Sequence, residues 1–326
     1  MRALIVSELS PDLSGLELTE VDAPVRAPDQ VLIRVHAASL NFPDLLMTRG
    51  DYQLKPTLPF VLGLEFSGEV LEAPTDSGLV VGDRVYGGRQ TGCFAEQVAV
   101  PAAALRKVPA GLTIQQAAAF GAAYSTAYTA LVELGGLKPG QWVLVHGASG
   151  GVGLAACDLA KALGARVIAA SGSADKLAVL EAACAPHAVL LATGRFREAV
   201  AKITGGALCD LVYDPVGGDV FDESTRCVAF GGKLLVVGFA GGRIADISTN
   251  ILLIKGFSVV GVRAGEYARR FPARGAAIRD TLLDMAAAGT ITPHIDRVLP
   301  LSRWREAFEA MAARQVVGKV VFEPGG

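Results

Sequence analysis

Residues 142–153 read Trp-Val-Leu-Val-His-Gly-Ala-Ser-Gly-Gly-Val-Gly, and this stretch decides the fold. Its apolar first half predicts a buried strand, its glycines predict a tight turn, and the Ala-rich residues 154–163 predict a helix. In such a succession the free backbone amides and the positive end of the helix can bind the diphosphate of a dinucleotide. A tight turn without a ligand is the alternative. Ala148 replaces the first glycine of the usual pattern, but four glycines in this context favour binding.

The residues after the second strand of this domain indicate which nicotinamide cofactor is bound. An acidic side chain there would hold the ribose 2′-hydroxyl of NAD. Residues 171–176 instead read Ser-Gly-Ser-Ala-Asp-Lys, and hydroxyl groups with a lysine suit the 2′-phosphate of NADPH. Asp175 is the competing candidate, although a carboxylate there also suits the first turn of a helix. NADPH is therefore predicted over NADH, with a solvated surface lysine as the alternative for Lys176.

The chain changes character near Pro109. The first third contains short strand patterns broken by Pro and Gly, and it predicts a β-rich lobe with one short helix at residues 42–47. Thr113 and Gln116 form a predicted capping box at the start of a helix. Further on, apolar strands alternate with helical patterns, which predicts a parallel sheet covered on both faces. The predicted strands span 2–6, 31–36, 65–72 and 94–98 in the first part, and 142–146, 166–170, 188–191, 211–213, 233–237 and 257–260 in the second.

Composition excludes several classes of protein. The net charge of −2 shows no basic excess, so nucleic acid is not an expected partner. Five scattered cysteines fit free thiols of a reducing compartment, and we expect a cytoplasmic protein. Residues 108–132 carry no charge, but their polar residues predict a buried helix of a soluble protein rather than a membrane span.

Several motifs together resemble the medium-chain dehydrogenase/reductase superfamily, specifically its zeta-crystallin-like quinone oxidoreductase branch. They are Asn41-Phe42-Pro43-Asp44, Gly82-Asp83-Arg84-Val85, Thr126-Ala127-Tyr128, the turn at 147–153, Asp214-Pro215-Val216-Gly217-Gly218, Gly238-Phe239, Asn250-Ile251-Leu252-Leu253 and Gly318-Lys319. The resemblance covers essentially the whole chain. It implies a GroES-like catalytic lobe (residues 1–120 and 263–326), a Rossmann domain inserted at 121–262, a substrate cleft between these lobes, and a homodimer.

Zinc-dependent alcohol dehydrogenases of the same superfamily hold a catalytic metal with two cysteines and a histidine. At the corresponding positions this sequence has Asn41, Leu64 and Ala122. Amide and hydrocarbon groups do not replace thiolate and imidazole, so no metal site is predicted. Without a Lewis acid, reduction of an electron-poor acceptor is favoured over alcohol oxidation. The predicted function is NADPH-dependent hydride transfer to a small quinone or activated carbonyl or enone.

The resemblance also implies site residues. The predicted cofactor contacts are Asn41, Thr126, Gly150, Gly151, Val152, Ser171, Lys176, Phe239, Arg263 and Arg314. The candidate catalytic residues are Asn41, which can bond the ribose or the acceptor, and Tyr52 and Tyr128, whose phenols can bond an acceptor oxygen. A loop or core role is the alternative for each of the three.

Several of these assignments have open alternatives. Thr126 can bond its own helix backbone, and Arg314 is either a 2′-phosphate contact or a surface charge. Arg263 either favours an anionic or carbonyl-bearing acceptor or points to solvent. Leu191 replaces a tyrosine that family members often have near the adenine end, which weakens phosphate recognition unless Arg195 or Arg197 compensates.

Two other functions compete with quinone reduction. One is an enoyl reductase acting on a thioester or enone. The other is a crystallin-like protein that binds NADPH with little turnover.

Overall fold

A computed structural model describes residues 1–325 of the chain. Within this range the chain forms two compact units. The first unit contains Met1–Ala122 and the chain from Pro293 onward, and the second contains Ala123–Thr292. The chain therefore returns to the first unit at Pro293, whereas the sequence analysis placed that return at residue 263.

Strands occur in both units, whereas most helices lie in the second. The strands are β1 (Arg2–Val6), β2 (Leu16–Glu20), β3 (Gln30–Ser39), β4 (Phe60–Val61), β5 (Glu65–Glu72), β6 (Arg84–Gly88), β7 (Gln97–Pro101), β8 (Leu105–Lys107), β9 (Trp142–Val145), β10 (Arg166–Ser171), β11 (Ala188–Leu191), β12 (Cys209–Asp214), β13 (Val228–Val236), β14 (Ser258–Gly261), β15 (Ile295–Pro300) and β16 (Lys319–Glu323). The α-helices are α1 (Phe42–Arg49), α2 (Ile114–Ala118), α3 (Gly121–Tyr128), α4 (Gly151–Ala162), α5 (Leu177–Cys184), α6 (Arg197–Ile203), α7 (Gly218–Ser224), α8 (Thr249–Lys255), α9 (Ala264–Arg270), α10 (Pro272–Ala287) and α11 (Trp304–Ala312).

The first unit is built on β-sheets. In the described chain a small antiparallel sheet has the order β2-β1-β4. A larger sheet has the order β15-β16-β3-β5-β6-β8, with β7 also paired to β3, and it is antiparallel except for the parallel pair β15-β16. Strand β3 shows why these residues form a sheet, since Val31, Ile33 and Val35 are buried while Arg34 and His36 are exposed. This alternation is the period of two of a strand with one face on a core.

The second unit contains the parallel sheet. Its order within residues 1–325 is β11-β10-β9-β12-β13-β14, and every adjacent pair is parallel. Counted along the chain this is the order 3-2-1-4-5-6 of a dinucleotide-binding fold. Strand β9 lies in the middle, so the turn that follows it is at the point where the strand order reverses. The predicted combination of a Rossmann sheet with a β-rich lobe is confirmed.

Three local predictions differ from the structure. The strand predicted at 94–98 is β7 at Gln97–Pro101, because the amides of Cys93 and Phe94 bond to Gly63 and Leu62 instead of to β3. The first helical turn suggested for Asp175 is a 3-10 turn, Ala174–Lys176, and α5 begins only after it. The uncharged stretch 108–132 contains α2 and α3, and α3 continues into a π-helical segment, Thr129–Leu134.

Helices α9 and α10 belong to the second unit, where both of them contact the same glutamate. Glu133 of the π-helical segment accepts a hydrogen bond from Tyr267 of α9 at 2.6 Å and forms an ion pair with Arg274 of α10 at 2.8 Å. Strand β16, in contrast, pairs with β3 and β15 in the first unit. In residues 1–325 no helix combines the length and the apolar character that a bilayer span requires.

Candidate active site

The glycine turn after β9 requires glycine at two positions, Gly147 and Gly153. Gly147 has φ of +53°, and a Cβ at Gly153 would lie 2.2 Å from the carbonyl oxygen of Gly147. Helix α4 begins after Gly150, which provides no side-chain cap, and its amide groups at Gly151, Val152 and Gly153 belong to the first turn. Such amides have no carbonyl partner within the helix. The turn therefore presents free donors and the positive end of a 12-residue helix.

The next strand brings Ser171 and Lys176 to the same edge of the sheet. Ala148 in the turn donates to the carbonyl of Ala170 at 2.9 Å, so the end of β10 lies beside the glycine turn. Ser171 is buried and accepts a hydrogen bond from the amide of Ser173 at 3.1 Å, which shapes the loop leading to the half-buried Lys176. Asp175 is exposed in the 3-10 turn, consistent with its alternative role at a helix start.

Leu191 lies directly beside Ser171, since the two residues are paired between β10 and β11. Its side chain is 40% exposed, so an aliphatic surface adjoins the loop that carries Lys176. Arg195 is exposed and Arg197 is half-buried on the segment that follows β11. Leu191 is thus the apolar neighbour of Ser171, and the segment that follows β11 carries two basic residues.

A buried carboxylate holds the neighbouring turn after β12. One oxygen of Asp214 accepts from the amides of Val216 at 2.8 Å and Gly217 at 2.9 Å, and burial raises the pKa of Asp214. Side chains of this turn occupy the space beside Gly147, where a Cβ would lie 3.3 Å from Pro215. Asp214 therefore fixes the turn whose Pro215 side chain lies beside Gly147. This role was not expected from the sequence.

Phe239 and Arg263 follow the last two strands of the same sheet. Phe239 is 45% exposed and approaches Gly217, where a Cβ would lie 3.2 Å from its ring. Arg263 is exposed directly before α9. Because the amide of Val262 donates to Val236 at 2.8 Å, Arg263 lies close to the end of β13. Both residues are thus at the carboxyl edge, where ligands bind in sheets of this kind.

In the first unit, Asn41 lies in a buried cluster of charged and polar groups. Lys319 forms an ion pair with Glu65 at 2.9 Å and donates to the Asn41 side-chain oxygen at 2.6 Å. The Asn41 side-chain nitrogen donates to Glu65 at 3.0 Å. The second oxygen of Glu65 accepts from the amide of Ala122 at 2.9 Å. We call Asn41, Asp44, Glu65 and Lys319 the polar cluster; each keeps 8% of its surface or less exposed.

Asp44 completes the polar cluster. Its carboxylate accepts a hydrogen bond from the backbone amide of Asn41 at 2.8 Å and fixes the start of α1. Burial raises the pKa of Asp44 to about 8, against the opposing effects of that hydrogen bond and of Lys319. At neutral pH the Asp44 carboxyl is therefore mainly protonated, which reduces negative charge in the cluster.

The remaining predicted residues are divided between the two units. Tyr52 and Arg314 belong to the first, where Tyr52 packs against the hydrophobic core and Arg314 is exposed after α11 with φ of +56°. Thr126 and Tyr128 belong to the second, where both are half-buried in α3. None of the four histidines was predicted to be catalytic; His146 is buried beside Ser224, and burial lowers its pKa to about 3.

Comparison with known proteins identifies the family. Residues 27–110 match the alcohol dehydrogenase GroES-like domain, and residues 151–278 match the zinc-binding dehydrogenase domain. The chain is 38% identical over 322 residues to mouse quinone oxidoreductase-like protein 2, covering 98% of this chain and 91% of the relative. The chain belongs to the medium-chain dehydrogenase/reductase superfamily. Within this superfamily it is a quinone oxidoreductase-like member.

Solved structures of the superfamily agree closely with this one. A probable oxidoreductase from Mycobacterium abscessus superimposes with a TM-score of 0.92 at 37% identity, with 99% of each chain covered. Quinone oxidoreductase of Escherichia coli in complex with NADPH gives a TM-score of 0.89 at 27% identity, covering 99% of this chain and 100% of the other.

Zinc does not fit the side chains of this superfamily member. Asn41 and Ala122 both contact Glu65, but they offer an amide and a backbone N–H in place of thiolates. The Asn41 oxygen already accepts a bond from the ammonium group of Lys319. A second cation beside that group would be repelled. Among residues 1–325 no set of three or more His, Cys, Asp or Glu side chains is arranged to hold a metal ion.

The protonation of Asp44 predicts a specific pH dependence of stability. Because the pKa of Asp44 is about 8 in the folded protein and about 3.9 in an unfolded chain, the folded state binds the proton more tightly. The free energy of unfolding therefore decreases as pH rises from about 4 to about 8. We expect Asp44→Asn, which keeps an acceptor for the Asn41 amide, to lose less stability than wild type between pH 5 and pH 8.

Urea unfolding at several pH values measures this difference. The exposed Asp29→Asn is a matched control and should follow the wild-type profile. Parallel profiles for wild type and Asp44→Asn would show that Asp44 is ionised in the folded protein.

Proposed function

We propose that the chain is an NADPH-dependent reductase that transfers a hydride to a quinone or an activated carbonyl or enone acceptor without a catalytic metal. The observation that carries the proposal is the glycine turn after β9, where bare amides at the start of α4 lie at the reversal of strand order. A diphosphate suits this turn because Gly150 and Gly151 have no side chains that would keep it from the amides at the start of α4.

The choice of NADPH over NADH depends on the loop after β10. Ser171 and Lys176 supply a hydroxyl and an ammonium group at the position where NAD-specific proteins carry a carboxylate. The E. coli relative in complex with NADPH is consistent with this choice. Leu191, which adjoins Ser171, provides no polar contact, so the preference for the 2′-phosphate depends chiefly on Lys176.

Because the side chains around Asn41 do not fit a metal ion, hydride acceptors that react without a Lewis acid are favoured. A bound nicotinamide cofactor supplies the hydride, and quinones and enones are electron-poor enough to take it directly. The chain's own contribution is to hold and orient the reactants and to exclude water. Tyr52 and Tyr128 are proposed to donate hydrogen bonds to the acceptor oxygen, and Arg263 to favour acceptors with carbonyl or anionic groups.

A homodimer is proposed on the outer edge of the parallel sheet. Strand β14 ends the strand order, so its outer edge has no partner among residues 1–325. Beside it Phe230, Leu253 and Ile254 are 88%, 84% and 76% exposed. The three form one patch, since the Phe230 ring contacts Gly256 at the end of the helix that carries the other two. An exposed apolar patch next to an open strand edge suits a second copy of the chain.

We expect wild-type protein to have twice the mass of one chain in light scattering after size exclusion. Leu253→Glu combined with Ile254→Glu should shift it to one chain mass, because two charges would be buried in the interface. Val25→Glu, at a residue that is 94% exposed in the first unit, is the control and should leave the dimer intact. A dimer that survives the double substitution would place the contact elsewhere.

An acceptor panel tests the reductase proposal itself. Purified protein should oxidise NADPH faster with 1,4-quinones and activated enones than with simple ketones, and it should not oxidise alcohols with NADP⁺. A chelator should leave the rates unchanged, because the polar cluster offers no thiolate or imidazole and its Glu65 carboxylate is already paired with Lys319. Inactivity with every quinone and enone, combined with tight NADPH binding, would favour the non-catalytic alternative.

The phosphate contact is tested by Lys176→Ala. We expect the Kd for NADPH to rise by at least about tenfold, as for the loss of a charged hydrogen bond, while the Kd for NADH stays within about twofold of wild type. The exposed Lys202→Ala is the control and should change neither value. Equal weakening of both cofactors would refute the role of Lys176 in selecting the 2′-phosphate.

A further inference from the structure

Two buried cysteines of the second unit contact each other where α4 packs against α5. Cys157 lies in α4, and Cys184 is the last residue of α5. The Cys157 thiol donates a hydrogen bond to the Cys184 sulfur. The Cys184 thiol in turn donates to the carbonyl of Leu180 at 3.2 Å. The two sulfur atoms are therefore neighbours in the folded protein, although residues 158–183 separate them in the chain.

Lys161 holds the end of α5 against the same face of α4. It follows Cys157 by roughly one helical turn, so the two side chains lie on one face of the helix. The Lys161 ammonium group donates to the backbone carbonyl of Cys184 at 3.3 Å. Cys184 is thus bound to α4 at two points, its sulfur and its carbonyl oxygen.

The surroundings make the two thiols chemically unequal. The hydrogen bond from Cys157 lowers the pKa of Cys184, and the charge of Lys161 acts in the same direction, against burial and the charge of Asp158. The same hydrogen bond, together with burial, raises the pKa of Cys157. Because the thiolate is the nucleophilic form of cysteine, Cys184 is the more reactive sulfur of the two.

The other cysteines lie in environments that suppress the thiolate. Burial raises the pKa of Cys227 to about 12, and it also raises the pKa of Cys209 and of Cys93. Cys209 and Cys227 are neighbours as well, since the Cys209 amide donates to the Cys227 carbonyl at 2.9 Å. The Cys227 thiol, however, donates to the backbone carbonyl of Glu223. This second pair is therefore an internal control for the first.

We propose that Cys157 and Cys184 are a redox-active dithiol that hydroperoxides convert into a reversible disulfide between α4 and α5. Cys184 is 5% exposed and is followed by the exposed Ala185, whose φ of +40° is in the left-handed region. Helix ends fray more readily than helix centres, so a small peroxide can reach Cys184. Cys157 is 1% exposed and is reached by the sulfur beside it.

Two successive displacements form the disulfide. The Cys184 thiolate attacks one oxygen of hydrogen peroxide, the O–O bond breaks, and the departing hydroxide takes up the proton that Cys184 had lost. Cys184 is then a sulfenic acid. The Cys157 sulfur attacks the Cys184 sulfur, the S–O bond breaks, and hydroxide leaves with the Cys157 proton as water. Two thiols are oxidised to one disulfide, and one peroxide is reduced to two molecules of water.

The test is oxidation of the folded protein by excess hydrogen peroxide, followed by alkylation of the remaining thiols and peptide mass spectrometry. We expect a peptide that joins Cys157 to Cys184, three alkylated cysteines, and recovery of all five thiols on reduction. The oxidised protein should also have a higher Tm, because the crosslink closes residues 158–183 into a loop and restricts the unfolded chain. In urea, where the contact is lost, the same treatment should give mixed pairings.

Single substitutions separate the roles of the two sulfurs. In Cys157→Ser no second thiol is available, so peroxide should leave a sulfenic acid at Cys184 that dimedone traps. Cys184→Ser should leave Cys157 reduced. The control Cys227→Ser should form the disulfide between Cys157 and Cys184 like wild type. Thermal unfolding of each reduced variant verifies that it is folded.

Three results would overturn the inference. One is survival of both thiols in folded wild type under peroxide that oxidises the same protein in urea. Another is a sulfenic acid at Cys184 that persists in wild type without a crosslink. The third is oxidation of Cys227 as fast as that of Cys184, since we expect Cys184 to react at least about tenfold faster. None of these measurements uses NADPH or a quinone, so the outcome is independent of the proposed reductase function.

Discussion

The second unit depends on the close approach of a helix to the turn that precedes it. At Gly153 a methyl group would lie 2.2 Å from the Gly147 oxygen and 2.7 Å from the Ala148 Cα, so α4 packs against the turn only because residue 153 has no side chain. This contact sets the direction of α4 and hence of the amides in its first turn. Asp214 holds the neighbouring turn in place by two hydrogen bonds from backbone amides. The surface proposed to bind the cofactor is thus made mainly of backbone, and the Asp214 side chain supports it.

The first unit follows a different principle. Here the Asn41 side chain is held by hydrogen bonds to buried charged groups. Burial of these groups would be costly if they were unpaired. Removing one partner of a buried ion pair typically costs about 3–5 kcal/mol, so Glu65 and Lys319 are each dependent on the other. The protonated state of Asp44 at neutral pH keeps the cluster from carrying a second negative charge. An electrostatic network of this kind defines an amide orientation that apolar packing alone would not select.

Sequence patterns identified the helices, strands and turns better than the long-range contacts between them. The glycine turn, β5 and β11 were located from local signals, and the capping box of Thr113 and Gln116 was confirmed by two reciprocal hydrogen bonds. The pairing of Glu65 with Lys319 spans 254 positions of the chain, and no local signal connects them. A charge within an otherwise apolar strand indicates a buried partner but does not name it. For the same reason the sequence placed residues 263–292 in the first unit, although α9 and α10 pack in the second.

The ammonium group that bonds to Asn41 and Glu65 is carried by β16, the last strand of the described chain. During synthesis Asn41 and Glu65 leave the ribosome long before Lys319, and the whole second unit is translated between them. The second unit has its own core and its own sheet, so it is able to fold first. Until β16 pairs with β3, Glu65 has no cation beside it and the large sheet has an unpaired edge. Assembly of the polar cluster therefore cannot precede translation of residue 319, and a nascent chain stalled before that residue has the glycine turn of the second unit but a buried carboxylate without its cation in the first.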